Sequence, residues 1–168
     1  MQSIELIRWA MELTGGHTAQ LAEDLRNSPL TRNTPGGKAG EGNHAIWLLG
    51  HLSFIEGNLA SALFGEPNPV ERWAPLFAPG TKPEVDANKY PSFDEVLKTF
   101  RDLRARNLKL LDEIGDSGLD RVPKSPPPGF EQLMKTFGHT FLLITLHNMM
   151  HNGEIADARR VAGFKPFM

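Results

Sequence analysis

The chain of 168 residues contains no cysteine. That excludes a disulfide framework, a thiolate-bound zinc or iron–sulfur centre and a cysteine nucleophile. A basic excess is missing as well: 18 Lys and Arg stand against 20 Asp and Glu, for a formal charge of −2 and a pI near 6.3. Without the positive balance that grips a phosphate backbone, nucleic acid is not the expected partner. Nor is there a long apolar run. The longest, Phe141 to Leu146, falls far short of the roughly 20 residues of a membrane span. The opening MQSIELIRWAMELTGG sets Glu5, Arg8 and Glu12 among its apolar residues, which is unlike a signal peptide. A soluble, cytoplasmic protein with no membrane partner is expected.

No segment shows the strict alternation of a half-buried strand, and no internal repeat is visible. With 40% hydrophobic and 23% charged residues, the composition fits one globular domain over residues 1–168. A chain of this length buries roughly 70% of its extended surface, so a core forms without a structural metal. A metal here would be functional.

Apolar residues recurring at three and four spacings predict four helices. The first runs from Gln2 to about Asn27, weakened by Gly15 and Gly16. A Pro- and Gly-rich crossover, Ser28 to Gly42, leads to a second helix capped at Asn43 and stopped by Gly65 and Pro67. The stretch from Gly65 to Pro91, with six prolines, reads as an irregular linker that packs through Trp73, Leu76 and Phe77. Ser92 and Glu95 form a capping-box signature for a third helix to about Ile114. Residues Phe130 to Ala162 lack proline and predict the longest helix, about 50 Å at 1.5 Å per residue. Four helices with two long connections make an all-α four-helix bundle, in which neighbours can run parallel or antiparallel.

His147 and His151 lie four apart, on one helix face, and can chelate one ion. Asn148 stands where the HExxH metalloprotease motif has its glutamate, so that reading fails. The pair is either a chelate or two buried, hydrogen-bonded imidazoles. A chelate needs a third ligand from another element. His44 and His51 are about 10.5 Å apart along the second helix. If the second and last helices pack antiparallel with level ends, His51 matches the pair in height better than His44 does.

The segments Trp47-Leu-Leu-Gly50-His51-Leu52 and His147-Asn-Met-Met-His151-Asn-Gly153-Glu154-Ile155, with FGEPNPVERWAPLF, YPSFDEVL and RRVAGFKP, resemble the DinB-like metalloenzyme superfamily from about Leu30 onward. The resemblance implies an up-down-down-up bundle, frequent homodimers, and a divalent metal, zinc or nickel, held by His51, His147 and His151. It also implies, in related families, transfer reactions that use a low-molecular-weight thiol. Many members carry Gln where this chain has Glu154. A carboxylate there could be a fourth ligand, orient a ligand ring, accept a proton as a catalytic residue, or simply be solvated.

Other residues draw structural readings. Trp47 is expected beside the His51 ring, His139 as a bundle histidine too distant to be a ligand, and His44 at a helix start or at the mouth of the site. The run Lys98, Arg101, Arg104, Arg106 and Lys109 is interleaved with acids and reads as a solvated face. The expected function is activation of water or of an external thiol at the metal, for a small-molecule substrate, in hydrolase or S-transferase fashion. The competing readings are a stress-linked, non-catalytic bundle that binds a small molecule or a metal, and a metal-free structural histidine cluster.

Overall fold

The computed structural model describes residues 2–166, so Met1, Phe167 and Met168, the ends of the span assigned to one domain, lie outside the described residues. Five α-helices are present among them: α1 (Ser3–Asp24), α2 (Ala45–Phe64), the single-turn α3 (Ala74–Phe77), α4 (Phe93–Ile114) and α5 (Phe137–Val161). No described residue lies in a β-ladder; one isolated bridge joins Arg32 and His44. Among the described residues no helix is long and apolar enough to cross a membrane.

Paired residues give the directions of the four long helices. Arg8 meets Asp112 and Glu23 meets Arg101, so α1 and α4 are antiparallel. Thr14 contacts Asn152 and Asp24 contacts Arg159, so α1 and α5 run parallel. Glu56 meets Arg104 while Phe64 lines a groove with Glu113, so α2 and α4 are parallel. Phe64 stacks edge-on against Phe137 while His51 reaches His147, so α2 and α5 are antiparallel. The order is up-down-down-up, as the resemblance implies, with α1 opposite α2 and α4 opposite α5.

Two helix starts follow the sequence and two depart from it. Ser92 caps α4 by accepting from Glu95 N–H at 3.1 Å, as its capping-box signature predicts. For α2 the cap is His44, not Asn43: its Nδ1 accepts from Trp47 N–H at 3.2 Å. The largest departure is α5, which begins at Phe137 instead of Phe130. Thr136 caps it, and the first free N–H groups find carbonyls of another segment, Phe137 on Arg121 at 2.8 Å and Gly138 on Leu119 at 2.9 Å. Residues 130–135 fold into turns after Gly129, whose φ is +86°. The absence of proline permits a helix there, but partners far along the chain decide where it starts. At 25 residues α5 is about 37 Å long.

The interior has three layers. One apolar cluster joins the start of α2, the 70–90 linker and the start of α4, through Leu48, Leu52, Trp73, Phe77, Val96 and Phe100. A second, at the other end, holds Met11, Leu59, Leu63, Phe137 and Phe141. Between them lies a polar layer. Arg104 is 5% exposed and Glu56 1%, and their side chains meet at 2.5 Å. Asn107 donates to the Glu56 carboxylate at 2.7 Å. Asn148, with its amide nitrogen toward Thr14 and Thr18, accepts from Arg104 at 2.9 Å. Burial pushes the Glu56 carboxyl up, although Arg104 and Asn107 pull it down.

Arg104 therefore corrects the reading of α4 as bearing only solvated cations. Lys98, Arg101, Arg106 and Lys109 do pair at the surface with Asp102, Glu23, Glu66 and Glu113. Arg104 points inward over Gly15, where a Cβ would sit 3.2 Å from the arginine side chain. That close approach accounts for a glycine inside α1 despite its cost in a helix, roughly 1 kcal/mol relative to Ala.

Candidate metal centre

His51 on α2 and His147 and His151 on α5 are brought together: one ring nitrogen from each lies within 4.8 Å of the other two. The Nε2 atoms of His51 and His147 are 3.4 Å apart and those of His147 and His151 3.2 Å. Nitrogens at about 2.05 Å from a tetrahedral ion lie about 3.3 Å from one another, so the spacing suits a three-histidine ligand set. The antiparallel packing of α2 on α5, the condition under which His51 matches the pair in height, is the packing observed.

The outer ring nitrogens fix the tautomers of His51 and His151. His51 Nδ1 is 2.8 Å from the Phe77 carbonyl, which can only accept, so Nδ1 carries the proton and Nε2 presents its lone pair. The Phe77 ring covers Gly50, where a Cβ would lie 2.3 Å from a ring carbon. Glycine before His51 thus lets the linker descend far enough to hold the histidine. Trp47 stacks on the other side, with ring centroids 5.0 Å apart and planes 3° from parallel, as expected from its place one turn earlier.

His151 Nδ1 lies 3.3 Å from Glu154 Oε2, and the same oxygen accepts from Asn43 Nδ2 at 2.9 Å. Burial raises the Glu154 carboxyl, but the hydrogen bonds from His151 and Asn43 outweigh it and the net direction is downward. An ionised Glu154 accepts from His151 Nδ1–H, which again turns the Nε2 lone pair inward. His147 Nδ1 is buried without a hydrogen-bond partner. In a cation-free cluster His147 Nε2–H could satisfy only one of its two neighbours. Two inward lone pairs, on His51 and His151, with the His147 Nε2 between them, fit a cation better than they fit a single proton.

Burial lowers the affinity of these rings for protons. His51 is held below the ordinary histidine range, and His147 is lowered to about 4 by burial and by repulsion from His151 and His51. At neutral pH both are unprotonated, the form that binds a metal.

Among the remaining histidines, His44 is a buried cap, with Nε2 2.8 Å from the Glu84 carbonyl and Nδ1 occupied by Trp47 N–H. It lies away from the mouth of the site. Desolvation lowers its pKa, and Arg32 adds to the effect. A depressed folded pKa gives stability that is present above the unfolded value, about 6.5, and is lost as pH falls through the folded one. His44→Asn, which keeps a capping acceptor, is expected to flatten the fall in unfolding free energy between about pH 7 and 5. Urea titrations across that range check it; an unchanged slope contradicts it. His139 departs from its expected place in the bundle: it is exposed in the first turn of α5, with Nδ1 2.8 Å from Thr136 Oγ1.

A cleft of about 400 Å³ opens beside His51 and His147. Its lining includes Phe130 and Met134, from the segment expected in α5 that instead precedes it. Sequence reasoning did not find these two, nor Asn43 and the Phe77 carbonyl as outer supports. Gly50 was the available signal for Phe77; Asn43 gave none, because its partner is 111 positions away.

No curated protein matches the chain. The family model described as DinB superfamily matches residues 10–155, taking in most of α1 as well as the region from Leu30 onward. With that match spanning the bundle and the three-histidine cluster, the chain belongs to the DinB superfamily.

Proposed function

We propose that residues 1–168 form a single metal-binding domain in which His51, His147 and His151 hold a divalent zinc or nickel ion, and that the protein transfers an apolar electrophile to an external low-molecular-weight thiol. The observation that carries the metal reading is the convergence of three histidine rings, with the His147 Nε2 at tetrahedral spacing from the Nε2 of both His51 and His151 and the outer nitrogens of those two tied to Phe77 and Glu154. Bound there, a divalent ion supplies Lewis acidity and lowers the pKa of a coordinated thiol or water.

The choice of thiol over water rests on what surrounds the site. Apart from His51 and His147, no titratable side chain among the described residues lines the cleft, so none of them stands ready as a general base for a water molecule. Glu154 supports His151 from its outer nitrogen and acts as a positioning residue, not a proton acceptor. A thiol, already acidic beside a cation, needs no such base. In the transfer the thiolate sulfur bonds to the electrophilic carbon, the leaving group departs with its electron pair, and the thiol proton goes to buffer.

The test is thioether formation from mercaptoethanol, a neutral thiol, and chlorodinitrobenzene by zinc- or nickel-loaded protein. Product above the uncatalysed rate is expected only with metal and thiol together, and not from His151→Ala. Equal turnover after chelation, or hydrolysis without thiol at the same rate, defeats the reading.

We also propose a cytoplasmic homodimer. On α5, Leu146 and Met150 are each 59% exposed, and on the adjacent α1 Trp9 is 59% exposed, large apolar groups for a monomer to leave in water. Sedimentation equilibrium is expected to give twice the chain mass, and Leu146→Glu to give one chain mass. A monomeric parent protein at tens of micromolar rules the dimer out.

A further inference from the structure

We propose that the cleft beside His51 and His147 is a recognition slot for a neutral, elongated, apolar molecule that carries one hydrogen-bond acceptor partway along its length. This rests on the metal reading only for the statement that the reactive end of that molecule lies at the histidines. On α2 the lining residues His51, Ile55, Asn58 and Ala62 recur at spacings of four, three and four, which is one helix stripe. From first to last the stripe extends about 16 Å. Leu143 and Ile144 of α5, with Phe130 and Met134 from the turns before it, also line the cleft.

At about 400 Å³ the space is of the size that holds small organic ligands. No Lys, Arg, Asp or Glu lines it. A carboxylate or an ammonium group entering it would lose hydration without compensation, so charged molecules are selected against.

The one polar side chain on the stripe beyond His51 is fixed in orientation. Asn58 Oδ1 accepts from Asn68 Nδ2 at 2.8 Å, which leaves the Asn58 N–H groups as what it offers a ligand. Asn68 is itself buried and held twice more, by donation to the Phe54 carbonyl at 3.1 Å and by acceptance from Val70 N–H at 3.0 Å. It reaches that position over Gly57, where a Cβ would fall 2.1 Å from Asn68 Oδ1. A cradle of this kind presets a donor about 10 Å along the helix from His51. It suits a carbonyl, ether or nitro oxygen on an otherwise apolar body.

Fluorescence of phenylnaphthylamine, a neutral apolar probe, tests the slot on the full chain in zinc-loaded and chelator-treated forms. One saturable site per chain is expected in both, and it is expected to be lost in Ala62→Trp, which fills the far end. On the unaltered protein, acetylnaphthalene should displace the probe about five-fold better than ethylnaphthalene, the worth of one hydrogen bond. Naphthoate and naphthylmethylammonium should be at least about ten-fold weaker than acetylnaphthalene. In Asn58→Leu the advantage of the acetyl compound should vanish while probe binding stays. Absence of a saturable site, or equal binding of charged and neutral compounds, overturns the slot even if zinc binds. Failure of zinc binding with the probe results intact overturns the proposed reaction and leaves the slot standing.

Discussion

Single alanine replacements of His51, His147 or His151 are each expected to abolish stoichiometric zinc and nickel binding, measured by titration calorimetry and by elemental analysis after dialysis. Losing one of three ligands costs more than losing an outer support, which by itself lowers metal affinity roughly 10- to 100-fold. Glu154→Gln should show that smaller loss. Its amide can still accept from His151 Nδ1, but it no longer brings the charge that makes the ring a stronger donor. His139→Ala, on the exposed first turn of α5, should bind metal as the parent does. The ordering matters more than any single value: three severe losses, one intermediate and one neutral. Parent-like binding in all three histidine variants would refute the site, and equal losses in Glu154→Gln and His147→Ala would make Glu154 a ligand instead of a support.

The parts of this site that the sequence disclosed are those governed by local geometry. His147 and His151 share a face because a helix turns once in 3.6 residues, and His51 follows once α2 and α5 are set antiparallel. Trp47 stacks on His51 for the same reason. What stayed hidden depends on contacts between distant segments. The Phe77 carbonyl reaches His51 only because the proline-rich linker folds back over Gly50, and Asn43 meets Glu154 only when the crossover loop closes on α5. The start of α5 is similar. An uninterrupted, proline-free stretch is compatible with helix from Phe130, but the carbonyls of Leu119 and Arg121 take up the first N–H groups seven residues later. The freed segment becomes a wall of the cleft, so the same misplacement hid Phe130 and Met134 from the site.

The polar layer was hidden for a different reason. Arg104 lies in a run of cations at surface spacing, and Glu56 sits in an apolar helix as a lone acid, so neither announces its partner 48 positions away. Glu56→Leu and Arg104→Met are each expected to destabilise the fold by about 3–5 kcal/mol, because each leaves an uncompensated buried charge. For a chain of this length that lowers Tm by about 6–20 °C. The double variant Glu56→Leu with Arg104→Met replaces both charges by apolar side chains of similar bulk. It should recover much of the loss, since such exchanges are often neutral or stabilising. Asn148 and Asn107 would then each lack one partner, which limits the recovery by about 1–3 kcal/mol apiece. Chemical denaturation of the four proteins closes the cycle and gives the coupling directly. Strict additivity of the two single losses would mean that the pair does not act as a unit. A large coupling energy would show that Glu56 and Arg104 act as one unit that ties α2 to α4 in the middle of the bundle.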